Sequence, residues 1–413
     1  MKTIYLFTDR FPYGTGEKTF VIPEIEALAV QYQVIIVPRI NLGDDNESTL
    51  PKNVSVLRYQ KPSKVRLLIR SLCFPFSSLA RDELKDLLRD GFICGRLSDS
   101  VKTFANACDL HAFLKRNHAF DEPSEKLYFS FWFNAPCLAV QIEKMRRPGV
   151  RVISRIHGYD LFNSENRNGR QPFKRVMRDH LDRLVFVSEN ARKYFEDTFG
   201  KERFPGQYRP NRLGVKAHFD ELEQPSAARS EKRLLVSCSN VIPGKRVHLI
   251  AEGLAECKRK DEIHWIHFGD GPELQSIKDL ANEKGLDAEF RGYTKNEDIM
   301  AFYESNVVDA VILTTAHEGG CPVALQEALS FGIPIIGTDT GGVPETISDN
   351  GVLLKCNPTA SEIADAIEAV CFADKEEVIR LRKCSLDLWE QRYNVKENKD
   401  AFLKIISEVI NGA

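Results

Sequence analysis

A chain of 413 residues has the length for two or three domains, each able to bury a core of its own. Its 43% hydrophobic and 28% charged residues are ordinary for a folded protein, and a net charge of −2 leaves no electrostatic footprint for nucleic acid. The 10 cysteines contain no Cys-x-x-Cys pair, so neither a zinc site nor a secreted disulfide framework is expected; with no signal-like N-terminal run and no apolar run near the ~20 residues of a spanning helix, neither is export or membrane insertion, which leaves a cytoplasmic location.

In chain order, Lys2 to Thr8 is a buried-strand run. The loop Phe11 to Phe20 follows, holding Gly14, Gly16 and Glu17. Glu24 to Tyr32 places Ile25, Leu28 and Ala29 at helical spacing, and Val34 to Val37 is the next strand, so the chain opens strand-helix-strand. A dinucleotide fingerprint would need a third small residue where Thr19 stands, a tighter join of strand to loop, and an acidic ribose ligand where Pro38-Arg39 follows the second strand. The dehydrogenase reading fails on all three.

Between Lys61 and Arg116, eleven basic residues stand against six acidic ones, with Leu67, Leu68, Leu72, Phe74 and Phe76 interleaved. Two readings fit: a surface for peripheral membrane association at the inner face of a bilayer, or apolar side chains packed inward beneath a solvated basic face. Strands resume at Leu127 to Phe133, Arg151 to Ile156 and Leu184 to Val187, where Ser188 caps a helix. His157 and Asp160 follow the second of these, in His157-Gly158-Tyr159-Asp160. A lone histidine after a strand is more often structural than catalytic.

Leu213-Gly214-Val215 closes a first domain of residues 1–215. The polar stretch 216–232 is the expected linker, 233–392 a second α/β domain, and 393–413 a final segment with a helix from Val395 to Ile410. Strands of the second domain are expected at Leu234 to Ser239, His264 to Phe268, Ala310 to Leu313 and Ile333 to Gly337. After the first of them come Lys245 and Arg246, at a carboxyl edge where they pair diphosphate charge or form a solvated basic turn. Gly269 and Gly271, in Phe268-Gly269-Asp270-Gly271-Pro272, permit a tight turn or face a nucleotide. Tyr293 follows at Gly292-Tyr293-Thr294.

The run His317-Glu318-Gly319-Gly320-Cys321-Pro322 carries the most information. Proline suits a first helical position, which leaves the N–H groups of Gly319, Gly320 and Cys321 for a ligand. The helix that follows carries Glu327, a carboxylate suited to two adjacent hydroxyls rather than to phosphate, and stops at Gly332 before Pro334. A second glycine loop, Gly341-Gly342-Val343-Pro344-Glu345, comes after the next strand. Two anion-binding loops with a ribose ligand between them describe a nucleotide-diphosphate pocket.

Glu327-Ala328, Gly332-Ile333-Pro334 and Gly341-Gly342-Val343-Pro344-Glu345 resemble the donor-site signature of family 4 retaining glycosyltransferases, and the likeness is nearest to bacterial members that build surface polysaccharides. The resemblance covers most of the chain and is strongest in its second half. It implies the GT-B fold: an α/β protein of two Rossmann-like domains whose parallel sheets face a cleft, with the final helix crossing back to the first domain. It implies a nucleotide sugar donor, a glycan or lipid-linked glycan acceptor, a metal-independent mechanism and no cofactor. Residue by residue, it implies Lys245 at the leaving diphosphate, with Arg246 supplying charge where Asn240 replaces an arginine common in the family. It also implies His157 near the donor sugar, Asp160 orienting that histidine or touching acceptor, and Gly14, Gly16 and Glu17 on a loop facing the cleft, with Glu17 a contact for acceptor. Glu318 departs from the pattern, because it stands nine positions before Glu327 where the family has eight, the register of Gly319. Either the glycine loop bulges by one residue, or the sugar is contacted differently. A nucleotide-sugar epimerase on the same fold and a non-catalytic nucleotide- or glycan-binding scaffold are the alternatives.

Overall fold

The computed structural model describes residues 1–14, 17–43, 46–216 and 231–412. Gly16 and most of the expected linker, residues 217–230, lie outside them. The chain forms two units: Met1–Asn211 with Lys399–Ala413, and Arg212–Asn398.

In the first unit, β1 (Thr3–Thr8), β2 (Gln33–Pro38), β3 (Val54–Val56), β4 (Lys126–Ser130), β5 (Arg151–Ile156), β6 (Arg183–Phe186) and β7 (Tyr208–Pro210) make a parallel sheet in the order β3-β2-β1-β4-β5-β6-β7. In the second, β8 (Arg233–Cys238), β9 (Ile263–Phe268), β10 (Ala288–Gly292), β11 (Ala310–Leu313), β12 (Ile335–Thr338) and β13 (Gly351–Leu354) follow the order β10-β9-β8-β11-β12-β13, again all parallel. Each sheet is covered on both faces, as its near-continuous apolar strands require. One face of the first sheet packs on Phe104, Leu138 and Phe195, and the other on Val21, Ile25 and the last helix through Phe402, Ile406 and Ile410. That last helix, Val395–Asn411, belongs to the first unit from Lys399 onward. This is the α/β architecture of the GT-B fold.

Two local expectations shift. Helix α1 spans Lys18–Ala29, so it begins before Pro23 rather than after it. Its opening turn closes through the Phe20 and Val21 N–H groups on the Glu17 carbonyl, so the proline interrupts a helix already started. Pro322 stands just outside its helix, Val323–Ser330, because its ψ of 128° is extended. Ser188 caps the helix Glu189–Phe199 as expected, its hydroxyl accepting from the Ala191 N–H at 3.0 Å.

Four more helices shape the first unit: α2 (Lys64–Ser71), α3 (Ser78–Arg89), α4 (Cys94–Arg116) and α5 (Ala135–Lys144). No helix among the described residues is long and apolar enough to cross a membrane.

Candidate active site

In the second unit the two glycine loops lock against each other. A Cβ on Gly341, whose φ is +54°, would sit 1.8 Å from the Glu318 carbonyl oxygen. One on Gly342 would meet the Gly320 carbonyl at 2.4 Å and the Cys321 nitrogen at 2.6 Å. Only glycine allows this approach. Buried Tyr393 ties the pair together, its hydroxyl donating to the Glu345 carbonyl at 2.8 Å and reaching the Cys321 sulfur at 3.4 Å. Arg212 holds the Glu345 carboxylate through Nε at 3.0 Å and Nη2 at 2.6 Å. Among the described residues, no acceptor meets the main-chain N–H of Gly319, Gly320 or Cys321. Those donors sit at the opening of the helix Val323–Ser330, where backbone N–H groups and the helix dipole favour an anion.

Along that helix Glu327 is buried and accepts from Asn296 Nδ2 at 2.7 Å. Burial pushes its carboxyl up to about 7, against the smaller opposing effect of Asn296. Near it, the Tyr303 hydroxyl is buried with no hydrogen-bond partner among the described residues. Asn296 was not singled out in the sequence; its signal is its place at the start of the helix Asn296–Ser305, just after Gly292-Tyr293-Thr294.

Lys245 ends a single turn after β8, and its ammonium donates to the Glu318 carboxylate. Arg246 is spent differently from the expected diphosphate pairing. Its backbone is left-handed at φ +49°, and its guanidinium donates to the carbonyls of Thr314, Thr315 and Cys356 and to Asn357 Oδ1, all at 2.7–2.9 Å. With four N–H groups bound to neighbouring loops, Arg246 positions the Lys245 turn. Gly269 and Gly271 have a packing reason as well, since a Cβ there would meet the Ser239 carbonyl oxygen at 1.8 Å and the Val241 carbonyl oxygen at 2.3 Å. Tyr293 stands exposed.

In the first unit, the His157 ring lies on Trp132 and Phe131, with centroids 4.5 and 4.8 Å away, and both ring nitrogens are buried without a partner among the described residues. Burial first, then the Arg155 charge, lowers its pKa to about 3, so the imidazole is neutral. Asp160 orients the segment, accepting from the His157 N–H at 2.7 Å and from the Phe133 N–H. Burial raises that carboxyl to about 6, while the neighbouring Lys174 charge opposes the rise; Lys174 itself is lowered to about 8 by burial. Gly14 takes φ +76° beside Gly43, whose own Cβ would lie 2.7 Å from the Gly14 nitrogen. Glu17 is a correction. Its carboxylate accepts from the main-chain N–H groups of Asp9, Arg10 and Phe11 and from the Trp132 indole, which fills its acceptor sites and makes it the organiser of its loop rather than a contact for acceptor.

Residues 218–381 match the family model described as Glycosyl transferases group 1. That match spans most of the second unit. The chain is similar, at 27% identity over 60% of its length and 68% of the relative's, to a GDP-mannose-dependent alpha-(1-6)-phosphatidylinositol monomannoside mannosyltransferase of Mycobacterium tuberculosis. Among solved structures it resembles the apo lipopolysaccharide outer core galactosyltransferase WaaB, with a TM-score of 0.70 at 15% identity covering 98% of this chain and 99% of that one. Anabaena Alr3699/HepE in complex with UDP gives 0.67 at 14% identity, covering 99% and 100%. These likenesses show the GT-B fold of this chain.

Proposed function

We propose that the chain moves a hexosyl group from a nucleotide-diphosphate sugar to a glycan or lipid-linked glycan acceptor, with retention and without a divalent metal, in bacterial surface polysaccharide assembly at the inner face of the membrane. The observation that carries this reading is the interlocked pair of glycine loops, with the unpaired N–H groups of Gly319, Gly320 and Cys321 beside a buried carboxyl, Glu327. The loop amides, with Gly341 and Gly342 fixing their shape, take the diphosphate, and Glu327 takes the ribose diol. Lys245 meets the charge that grows as the sugar-to-phosphate bond breaks. The acceptor hydroxyl enters on the same side, its oxygen bonds the anomeric carbon, and its proton passes to the departing phosphate, so no protein nucleophile is needed. Glu318 serves the donor sugar, and Tyr293, with Gly269 and Gly271, the nucleotide side. His157, neutral and held by Asp160, supplies a hydrogen bond to a sugar hydroxyl. The relative named for a phosphatidylinositol mannoside acceptor supports a lipid-linked one.

Titration with nucleotide sugars tests the reading directly. Bound donor that is neither transferred nor hydrolysed across a broad acceptor panel would point to a scaffold instead. A carboxylate on two hydroxyls contributes about 1.5–3 kcal/mol, so Glu327→Ala should weaken donor binding by roughly ten-fold to a hundred-fold. Because the diol selects the ionised form of a carboxyl lying near 7, donor binding should release a proton and strengthen with pH. Nucleotide-sugar affinity should rise roughly ten-fold from pH 6 to pH 8 in the wild type and stay flat in Glu327→Gln. Equal slopes in the two proteins would remove the ribose role.

A further inference from the structure

Helix α2 is turned inside out. Val65, Leu68, Ile69, Leu72 and Phe76 recur at helical spacing and are each more than half exposed, and no residue of the helix is buried. The basic face points inward instead. Arg66 donates to the fully buried Asp109 of α4 through Nε at 3.2 Å and Nη2 at 2.5 Å, Arg70 lies 3.6 Å from the same carboxylate, and the Tyr59 hydroxyl donates to it at 2.8 Å. Of the sequence's interleaved apolar residues, only Phe74 packs inward as a core side chain, edge-on to Phe104 at 5.4 Å. The reading of an inward apolar face beneath a solvated basic one is thus reversed for α2. An apolar stripe held outward by a buried charge cluster calls for a hydrocarbon partner.

Beside the stripe, among α2, the start of α3, α4 and α5, lies a pocket of about 940 Å³. Phe76, Leu79, Phe104, Ile142 and Met145 give it apolar walls, and none of its lining residues is acidic. Lys115 and Arg116, in the last turn of α4, and Arg146, just beyond α5, also line it, and these three cations make no side-chain hydrogen bond or ion pair among the described residues. Cations at helix ends are expected on dipole grounds. Their gathering around one apolar pocket, next to an outward apolar stripe, is what that account leaves over.

Deepening the membrane part of the reading above, and resting on it, we propose that this pocket holds one anionic phospholipid, its phosphate on Lys115, Arg116 and Arg146 and its acyl chains against the apolar walls, while α2 lies in the bilayer surface. Phosphate alone has no use for walls of phenylalanine, leucine and methionine. A neutral lipid has no use for three unpaired cations.

The pocket and the bilayer are tested separately. Dihexanoyl-phosphatidylglycerol, dihexanoyl-phosphatidylcholine and glycerol phosphate are titrated calorimetrically into the full chain at concentrations where the lipids are monomeric. The anionic lipid should bind saturably at one site, at least about ten-fold more tightly than either of the others. Ala112→Trp, which fills the pocket, and the surface pair Arg116→Glu with Arg146→Glu should each weaken it by about ten-fold or more. Equal binding of the neutral lipid or of glycerol phosphate, or indifference to both variants, overturns the proposal. Flotation with phosphatidylcholine vesicles, with and without phosphatidylglycerol, should show binding to the anionic vesicles that Leu68→Glu with Leu72→Glu abolishes. Vesicle binding without saturable short-chain binding overturns the pocket and leaves the membrane reading standing. Saturable short-chain binding without vesicle binding upholds the pocket and overturns the membrane reading.

Discussion

Lys245→Ala is expected to lower turnover by about 10²–10³-fold, the usual loss when one preorganised electrostatic stabiliser is removed. Lys245 sits at the carboxyl edge of β8, its turn fixed by Arg246, and its ammonium rests on Glu318. A cation placed there costs little to reorganise when the diphosphate leaves. Glu318→Gln separates the two partners: it should cut turnover while leaving affinity for the free nucleoside diphosphate nearly intact, because that ligand has no sugar. If Glu318 acts only by holding Lys245, the double variant will be no slower than Lys245→Ala alone. Equal catalytic efficiency of Glu318→Gln and wild type would reduce Glu318 to a loop ion-pair partner and give the family position to Gly319. Chelators should leave the wild type active, and strict dependence on added magnesium or manganese would sink the metal-free mechanism.

The interior of both sheets was legible because a parallel strand covered on two faces is apolar throughout. Arg151–Ile156 and Ala310–Leu313 coincide with the expected runs, and the others move by one to three residues at their ends. The strands outside the expected apolar runs are β3, β7, β10 and β13, which are the four edges. An edge strand pairs on one side and is partly wet, so Glu289 and Arg291 alternate through β10 and Ser55 interrupts β3, and neither reads as a buried run. The glycine loops were legible because their constraint is local: Gly341 and Gly342 have no room for a side chain. The uses of Glu17, Arg246 and Asp109 were not, because each is decided wholly or in part by partners far along the chain. Trp132 stands 115 residues from Glu17, and Asn357 111 residues from Arg246. Nothing in the local pattern of α2 says that its arginines will find a buried aspartate and leave its leucines outside.

The largest expected loss of stability lies in the first unit, at a pair the sequence also concealed. Arg155 of β5 is 1% exposed and pairs with Glu24 of α1, 8% exposed, while its guanidinium donates to the Asn211 carbonyl and to Asn211 Oδ1 at 3.0 Å and lies 4.7 Å over the Phe402 ring. It therefore ties α1, β5, the end of β7 and the final helix to one charge. Burial raises the Glu24 pKa and lowers that of Arg155, and their mutual attraction opposes both shifts. Glu24→Ala leaves a guanidinium buried without its counter-charge and should destabilise the unit by about 3–5 kcal/mol, read by urea denaturation with amide exchange followed in β1 and β5. Arg155→Met should cost less at low pH, because an acid whose folded pKa is raised contributes its stability below the unfolded value and loses it as pH rises through the folded one. Loss in that variant should therefore grow from pH 5 to pH 8. Glu24→Met with Arg155→Met should recover most of the stability, since well-packed apolar replacements of a buried ion pair are often neutral or better. A Glu24→Ala shift below about 1 kcal/mol, the range of exposed pairs, would mean that water reaches Arg155 and that the four elements are joined by packing alone.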